Sequence, residues 1–272
     1  MNFLVNLSDP IFLESFLGIL GMTLFVGPLG CLMMWNRVAC LGDTMSHGAV
    51  FGLSLGFILG INPMLSLLVM MLFWAYFIGR INTRHAPDTV MAFLGQASLS
   101  VSVLLFAVMP AGLPTLTEAF VGNILTVTKT DVLIIWGVDV FIGGCLFFFW
   151  KKWVMICINA ELAQAMQIPV RRLQFLFFAV IGAYIAVSLQ MMGALLIPAF
   201  LVVPAVSVRP FSKTPEEMAF KASAVAWIAA FVGFALSVLW DIPTGPTLVC
   251  TALFIWGILL VLKMLLFCKK GI

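Results

Sequence analysis

Apolar runs of about 20 residues follow one another along almost the whole chain, separated by short clusters of charge, proline and glycine. They lie near 11–34, 41–60, 63–79, 89–109, 131–150, 173–190, 192–208, 218–239 and 244–267. The hydrophobicity within each run is continuous and does not alternate every second residue, so the runs predict helices, not barrel strands. A helix of that length matches the ~30 Å hydrocarbon core of a bilayer. The expected fold is therefore all-α, a polytopic transmembrane helical bundle of about nine spans forming a single transmembrane domain over 1–272. One stretch resists assignment. The sequence PAGLPTLTEAFVGNILTVTKT (110–130) predicts either an external loop with a short interfacial helix or a segment that dips back into the membrane, which leaves the count between eight and ten.

Composition removes the soluble alternative. Apolar residues make up 63% of the chain and charged residues 9%, where a soluble domain carries roughly 25% charged. No basic residue precedes the first run, so it reads as a retained span and not as a cleavable signal peptide. Placing alternate loops on alternate sides collects Arg37, Arg80, Arg84, Lys151, Lys152, Arg171, Arg172, Arg209, Lys213, Lys269 and Lys270 on one face, with Lys129 on the other. Basic residues near span ends stay in the cytoplasm, which predicts a periplasmic N-terminus and a cytoplasmic C-terminus. The net charge of +3 conceals this asymmetry and gives no indication of nucleic acid. The six cysteines show no CxxC spacing and read as small buried hydrophobes.

The longest cytoplasmic connection, 151–173, contains ICINAELAQAMQIPVRRL. Ile158, Leu162, Ala165 and Met166 recur there at helical spacing, which predicts a short amphipathic helix ending before Pro169. Such a helix either lies on the membrane surface or docks a cytoplasmic partner, and the pattern alone does not choose.

An ionisable residue inside a span is costly and marks a functional site by default. The second run holds Asp43 and His47, four residues apart and so on one helical face. A carboxylate oxygen with an imidazole nitrogen suits zinc or manganese better than magnesium or calcium. The competing explanation is an Asp–His hydrogen bond that merely satisfies both groups. Two ligands alone predict weak occupancy, which suits a permeation path. Gly48, Gly52, Gly56 and Gly60 form a small-residue stripe for close helix packing. Ser54 completes a GxSxG pattern, but it sits within a helical run, and His47 lies about 10 Å away along the axis. Asp139, in the fifth run, is a second site, a partner for a basic residue or a group facing water. Met191 and Met192 read as packing more than as sulfur ligands, while Lys221 and Lys263 near span ends are expected to snorkel. Gly27-Pro28, Pro198 and Pro204 are expected to break or kink their helices. No GxxxxGK[ST] phosphate loop occurs, so ATP-driven transport would need another subunit.

Several stretches together resemble the membrane permease subunits of the zinc and manganese ABC importers. They are Gly27-Pro28-Leu29-Gly30, GDTMSHGAVFG (Gly42–Gly52), Asn62-Pro63, DTVMAFLG (Asp88–Gly95), GNILTVTKTD (Gly122–Asp131), MGALLIPAFLVVPA (Met192–Ala205), SKTPEEMA (Ser212–Ala219) and DIPTGPT (Asp241–Thr247). The resemblance implies a homodimeric permease in the bacterial inner membrane, a cytoplasmic ABC ATPase subunit on each copy and a periplasmic metal-binding protein. It implies that Asp43 and His47 meet the metal in the translocation path. It also implies that Glu161, Leu162, Met166, Pro169, Arg171 and Arg172 belong to a cytoplasmic coupling segment, which shifts 151–173 towards docking. The TPEEMA and GALLI stretches are most similar to the zinc-uptake branch, with manganese or iron(II) as alternatives; no permanent cofactor is implied, only transported zinc. A stand-alone secondary cation transporter is the competing class, but the chain shows no convincing internal repeat.

Overall fold

In the computed structural model, which describes residues 10–80, 87–109, 116–122, 128–240 and 242–268, each of the nine apolar runs forms helix. The expected basic residues Arg84, Lys269 and Lys270 lie outside the described residues. In chain order the helices are α1 Pro10–Thr23, α2 Val26–Trp35, α3 Leu41–Leu59, α4 Pro63–Arg80, α5 Pro87–Ala107 and α6 Leu116–Val121. They continue as α7 Lys129–Ile158, α8 Ala160–Ala165, α9 Val170–Met192, α10 Ile197–Val208, α11 Pro215–Trp240 and α12 Thr244–Cys268. Among the described residues, seven segments are long and apolar enough to cross a membrane: the α1–α2 pair, α4, α5, α7, α9, α11 and α12. α10 is too short at 12 residues. α3 has 19 residues, but its glycines, serines, Asp43 and His47 lower its hydropathy.

The bundle is layered by burial. α9 and the α1–α2 pair are 72% and 67% buried, whereas α5 is 22% buried and α4 28%. The outer helices point large side chains away from the core, among them Phe93, Phe147, Phe148 and Phe254. A soluble protein could not display such a surface, and a bilayer solvates it. α3 packs between α4 and α5 and against α9, while α2 packs on α10 and α11.

The glycine stripe on α3 makes the first of these contacts possible. A Cβ at Gly52 would lie 2.7 Å from the Met70 side chain, and one at Gly56 would lie 2.8 Å from that of Ser66. The Ser66 hydroxyl also donates to the Gly52 carbonyl at 2.6 Å. At the α1–α2 break, Leu24 and Phe25 leave the helix one turn before Pro28. A proline ring clashes with the carbonyl four residues upstream, here that of Leu24.

Two expectations need correction. α7 does not end before the lysine pair: it runs through Lys151 and Lys152 to Ile158, because Trp153 and Ile156 continue a buried face and Trp153 Nε1 donates to the Leu173 carbonyl at 2.9 Å. At about 45 Å it is longer than the hydrocarbon core. The amphipathic helix is therefore shorter than its periodicity indicated. Asn159 caps it by accepting from the amides of Glu161 and Leu162, and Ile158 belongs to the preceding helix. Lys221, secondly, does not simply snorkel: its ammonium donates to the Phe211 carbonyl at 2.6 Å and pairs with Glu217 at 2.7 Å.

Candidate metal site

The first two turns of α3 carry the polar residues that the sequence singled out. Asp43 is exposed on the surface of the chain while its neighbours Gly42, Thr44, Met45 and Ser46 are buried. His47, one turn on, is 8% exposed, and its Nδ1 is buried without a hydrogen-bond partner. Asp43 and His47 form no ion pair among the described residues. The mundane explanation, a closed Asp–His pair, is therefore not what the helix presents: one ring nitrogen is buried and unpaired, one turn from an outward-facing carboxylate. No group of three His, Cys, Asp or Glu able to hold a metal occurs among the described residues.

The helix is held rigidly from several sides. Thr44 Oγ1 donates to the Met91 carbonyl at 2.7 Å and back-bonds to Cys40 at 2.9 Å, and a Cβ at Gly95 would lie 3.1 Å from Thr44 Cα. The DTVMAFLG stretch therefore forms the face of α5 that lies on α3. A Cβ at Gly42 would sit 3.1 Å from Pro198 Cβ, which places the start of α10 against the start of α3. α6 docks on the α9–α10 junction, where the amides of Ala194 and Leu195 donate to the carbonyls of Ala119 and Phe120 at 3.1 and 3.4 Å. This docking brings the Phe120 ring edge-on to His47, with centroids 6.5 Å apart. Within 110–130, residues 116–121 form a short helix packed on the bundle with Phe120 against His47, and 129–130 begin α7.

Asp88, within the DTVMAFLG stretch, joins these residues although the sequence pattern does not single it out. Its Oδ1 is buried without a hydrogen bond, and its charge, with that of Asp43, reaches the Cys40 thiol at the start of α3. Burial first, and then these two carboxylates, raise the Cys40 thiol above its usual range. The available signal was the first-turn position of Asp88 on α5.

Other candidates fall away. Ser54 is fully buried and donates to the Phe51 carbonyl at 2.8 Å, so it is no nucleophile. Met191 and Met192 are the buried last residues of α9, and Met191 packs on Gly18. Asp139 is 2% exposed, beside Gly21 of α1, and has no basic partner among the described residues. Glu161, Leu162, Met166, Pro169, Arg171 and Arg172 are all exposed, on α8, the turn after it and the first residues of α9. Ile158, at the end of α7 just before α8, is 78% exposed. His85 lies outside the described residues.

A family model described as the ABC 3 transport family matches residues 8–264. The chain belongs to that family. The ABC 3 assignment covers both the Asp43/His47 helix and the α8 surface. Among ABC 3 relatives, the chain is 30% identical over 238 residues to the high-affinity zinc uptake system membrane protein ZnuB of Haemophilus influenzae, covering 86% of this chain and 91% of that protein. It is 24% identical over 228 residues to the manganese transport system membrane protein MntC of Halalkalibacterium halodurans, covering 83% and 78%. The fold matches the solved structure of PsaBC from Streptococcus pneumoniae in complex with Fab, with a TM-score of 0.83 at 24% identity over 93% of this chain and 92% of that one. The chain is a multi-pass membrane protein with an ABC permease fold.

Proposed function

We propose that the chain is the membrane permease of an ABC importer for a divalent transition metal, zinc before manganese or iron(II), in the bacterial inner membrane. The carrying observation is the state of the first half of α3: an exposed Asp43 and a buried His47 with an unpaired Nδ1, where the residues around them are buried. A carboxylate facing lipid would be costly, so Asp43 needs an aqueous path or a second protein surface. Two ligands from one copy and two from another would give the four-coordinate nitrogen and oxygen set that zinc accepts. On this reading two copies meet along the Asp43 face, and the ion arrives from a periplasmic metal-binding protein. It pauses between the copies and is released inward when the bundle rearranges.

The motor is a separate cytoplasmic ABC ATPase that docks on Glu161, Leu162, Met166, Pro169, Arg171 and Arg172. The exposure of Leu162 and Met166 supports docking, because a cytoplasmic partner would bury apolar side chains that this chain leaves uncovered. Nine crossings with a periplasmic N-terminus and a cytoplasmic C-terminus complete the reading. Arg37, Ile158 and Arg209 line one cavity, so the ends of α2, α7 and α10 lie together as alternating loops require. Zinc is placed first because of the ZnuB relative; the MntC relative keeps manganese as the second reading, and ligand chemistry serves both. The test is metal accumulation in cells lacking the gene and complemented with wild type, Asp43→Ala or His47→Ala. Wild type should restore zinc under zinc limitation and neither variant should. Restoration of manganese but not zinc by wild type would move the assignment to the second reading.

A further inference from the structure

A cavity of about 390 Å³ opens at the basic end of the bundle, between the end of α2, the end of α7 and the turn that joins α10 to α11. Trp35, Arg37, Val154, Ile158, Arg209 and Pro215 line it. Its two guanidinium groups have no ion pair among the described residues. The carboxylates closest in sequence to Pro215 are engaged elsewhere: Glu216 accepts from Trp150 Nε1 at 3.3 Å, and Glu217 holds Lys221 and the Lys213 amide. The cavity therefore combines two arginines with an apolar lining that includes Trp35, Val154 and Ile158.

Arg37 adds a second observation. α2 ends in a Schellman turn, with the Val38 amide donating to Met33 and the Arg37 amide donating to Met34, both at 3.2 Å. The residue in the left-handed position of such a turn is ordinarily glycine, which adopts it without strain. Here it is Arg37, at φ 55. In contrast, α3 ends on Gly60 at φ 65 in the equivalent left-handed position. Among the described residues only Gln167, at φ 61 after α8, shares this non-glycine left-handed position, and Arg37 is the one of the two that lines the cavity.

We propose that this cavity binds the headgroup of an anionic phospholipid from the leaflet at the basic end of the bundle. Arg37 and Arg209 would hold the phosphate, and Trp35, Val154 and Ile158 would take the glycerol and upper acyl region. Guanidinium groups bind phosphate through charge-assisted, bidentate hydrogen bonds. A basic pocket between helix ends with an apolar wall is the form such lipid sites take. A bound lipid would link α2, α7 and the α10–α11 turn, and α7 leads directly into α8. Occupancy would thus stiffen the base of the surface proposed for the motor.

The test is native mass spectrometry of the full chain purified from membranes and exchanged into mixed phosphatidylglycerol and phosphatidylcholine. Wild type should retain phosphatidylglycerol selectively, and Arg37→Gln and Arg209→Gln should each lower retention about fivefold. Arg37→Gly separates the side chain from the turn. Glycine relieves the strained backbone, so this variant should be as thermally stable as wild type or more so, yet lose the lipid as Arg37→Gln does. Retention unchanged in these variants would overturn the proposal. So would displacement of the lipid signal by inorganic phosphate alone, which would mark a site for the free anion. Loss of the ATPase partner from the variants with lipid retention intact would also overturn it, by making the two arginines part of the docking surface.

Discussion

Replacing Gly193 with alanine should disable the protein from a position with no chemistry of its own. Gly193 ends α9 at φ 73 and ψ 161, a region that L-residues essentially do not occupy, at a strain of about 1–3 kcal/mol. A Cβ there would also run into the Phe120 carbonyl and the Val121 backbone, which cannot yield as a flexible side chain would. Relief requires α6 to lift away, breaking the hydrogen bonds from Ala194 and Leu195 to Ala119 and Phe120, each contributing about 0.5–1.5 kcal/mol. The combined cost is about 2–6 kcal/mol, and Phe120 is drawn off His47. The assay is thermal unfolding of the purified chain alongside metal uptake in cells. Gly257→Ala serves as control, since a Cβ at Gly257 on α12 meets nothing within 4 Å and alanine is the better helix former by about 1 kcal/mol. Gly193→Ala should melt well below wild type and lose uptake, while Gly257→Ala should melt at or above wild type and transport normally. Equal stability and uptake in both variants would refute the account of how α6 is seated over His47.

Three further outcomes follow from the same geometry. Leu162→Glu and Met166→Glu alter exposed positions, so the permease should fold as stably as wild type but fail to pull down its ATPase; retained association would remove α8 from the interface. Thr44→Val deletes the hydroxyl between α3 and α5 and should destabilise by about 1 kcal/mol, read as a modest fall in melting temperature. Ser54→Ala should leave uptake unchanged, since that hydroxyl only back-bonds within α3; a loss of transport would reopen a chemical role for it.

Much of the fold was legible because a bilayer imposes its rule on each segment separately. A run such as 89–109 must satisfy its own backbone, so length and hydropathy place α5 without knowledge of its neighbours. The end of α7 was less visible, because Lys151 and Lys152 look like a boundary and only the contact from Trp153 to Leu173 shows that the helix continues. At the candidate site the i,i+4 spacing put Asp43 and His47 on one face, but nothing in the sequence distinguished a closed pair from an open one. That difference depends on what surrounds α3, and Phe120 reaches His47 from 73 residues further along the chain through the fold of 116–122. Asp88 was missed for the same reason: its proximity to Cys40 is tertiary, created by the packing of Gly95 on Thr44. Asp139 was legible as an anomaly, and its burial beside Gly21 excludes the basic partner considered from sequence, among the described residues.

The central claim is that α3 presents Asp43 and His47 to a metal between two copies of the chain. The most direct measurement is radioactive zinc uptake into vesicles containing the permease with its ATPase and binding protein, comparing wild type with Asp43→Asn and His47→Gln. These near-isosteric changes spare the packing of α3, so assembly and melting temperature should match wild type while ATP-dependent zinc uptake falls at least about tenfold, the lower end of what loss of a metal-site interaction costs. Uptake by both variants at the wild-type rate would contradict the account and place the path elsewhere in the bundle.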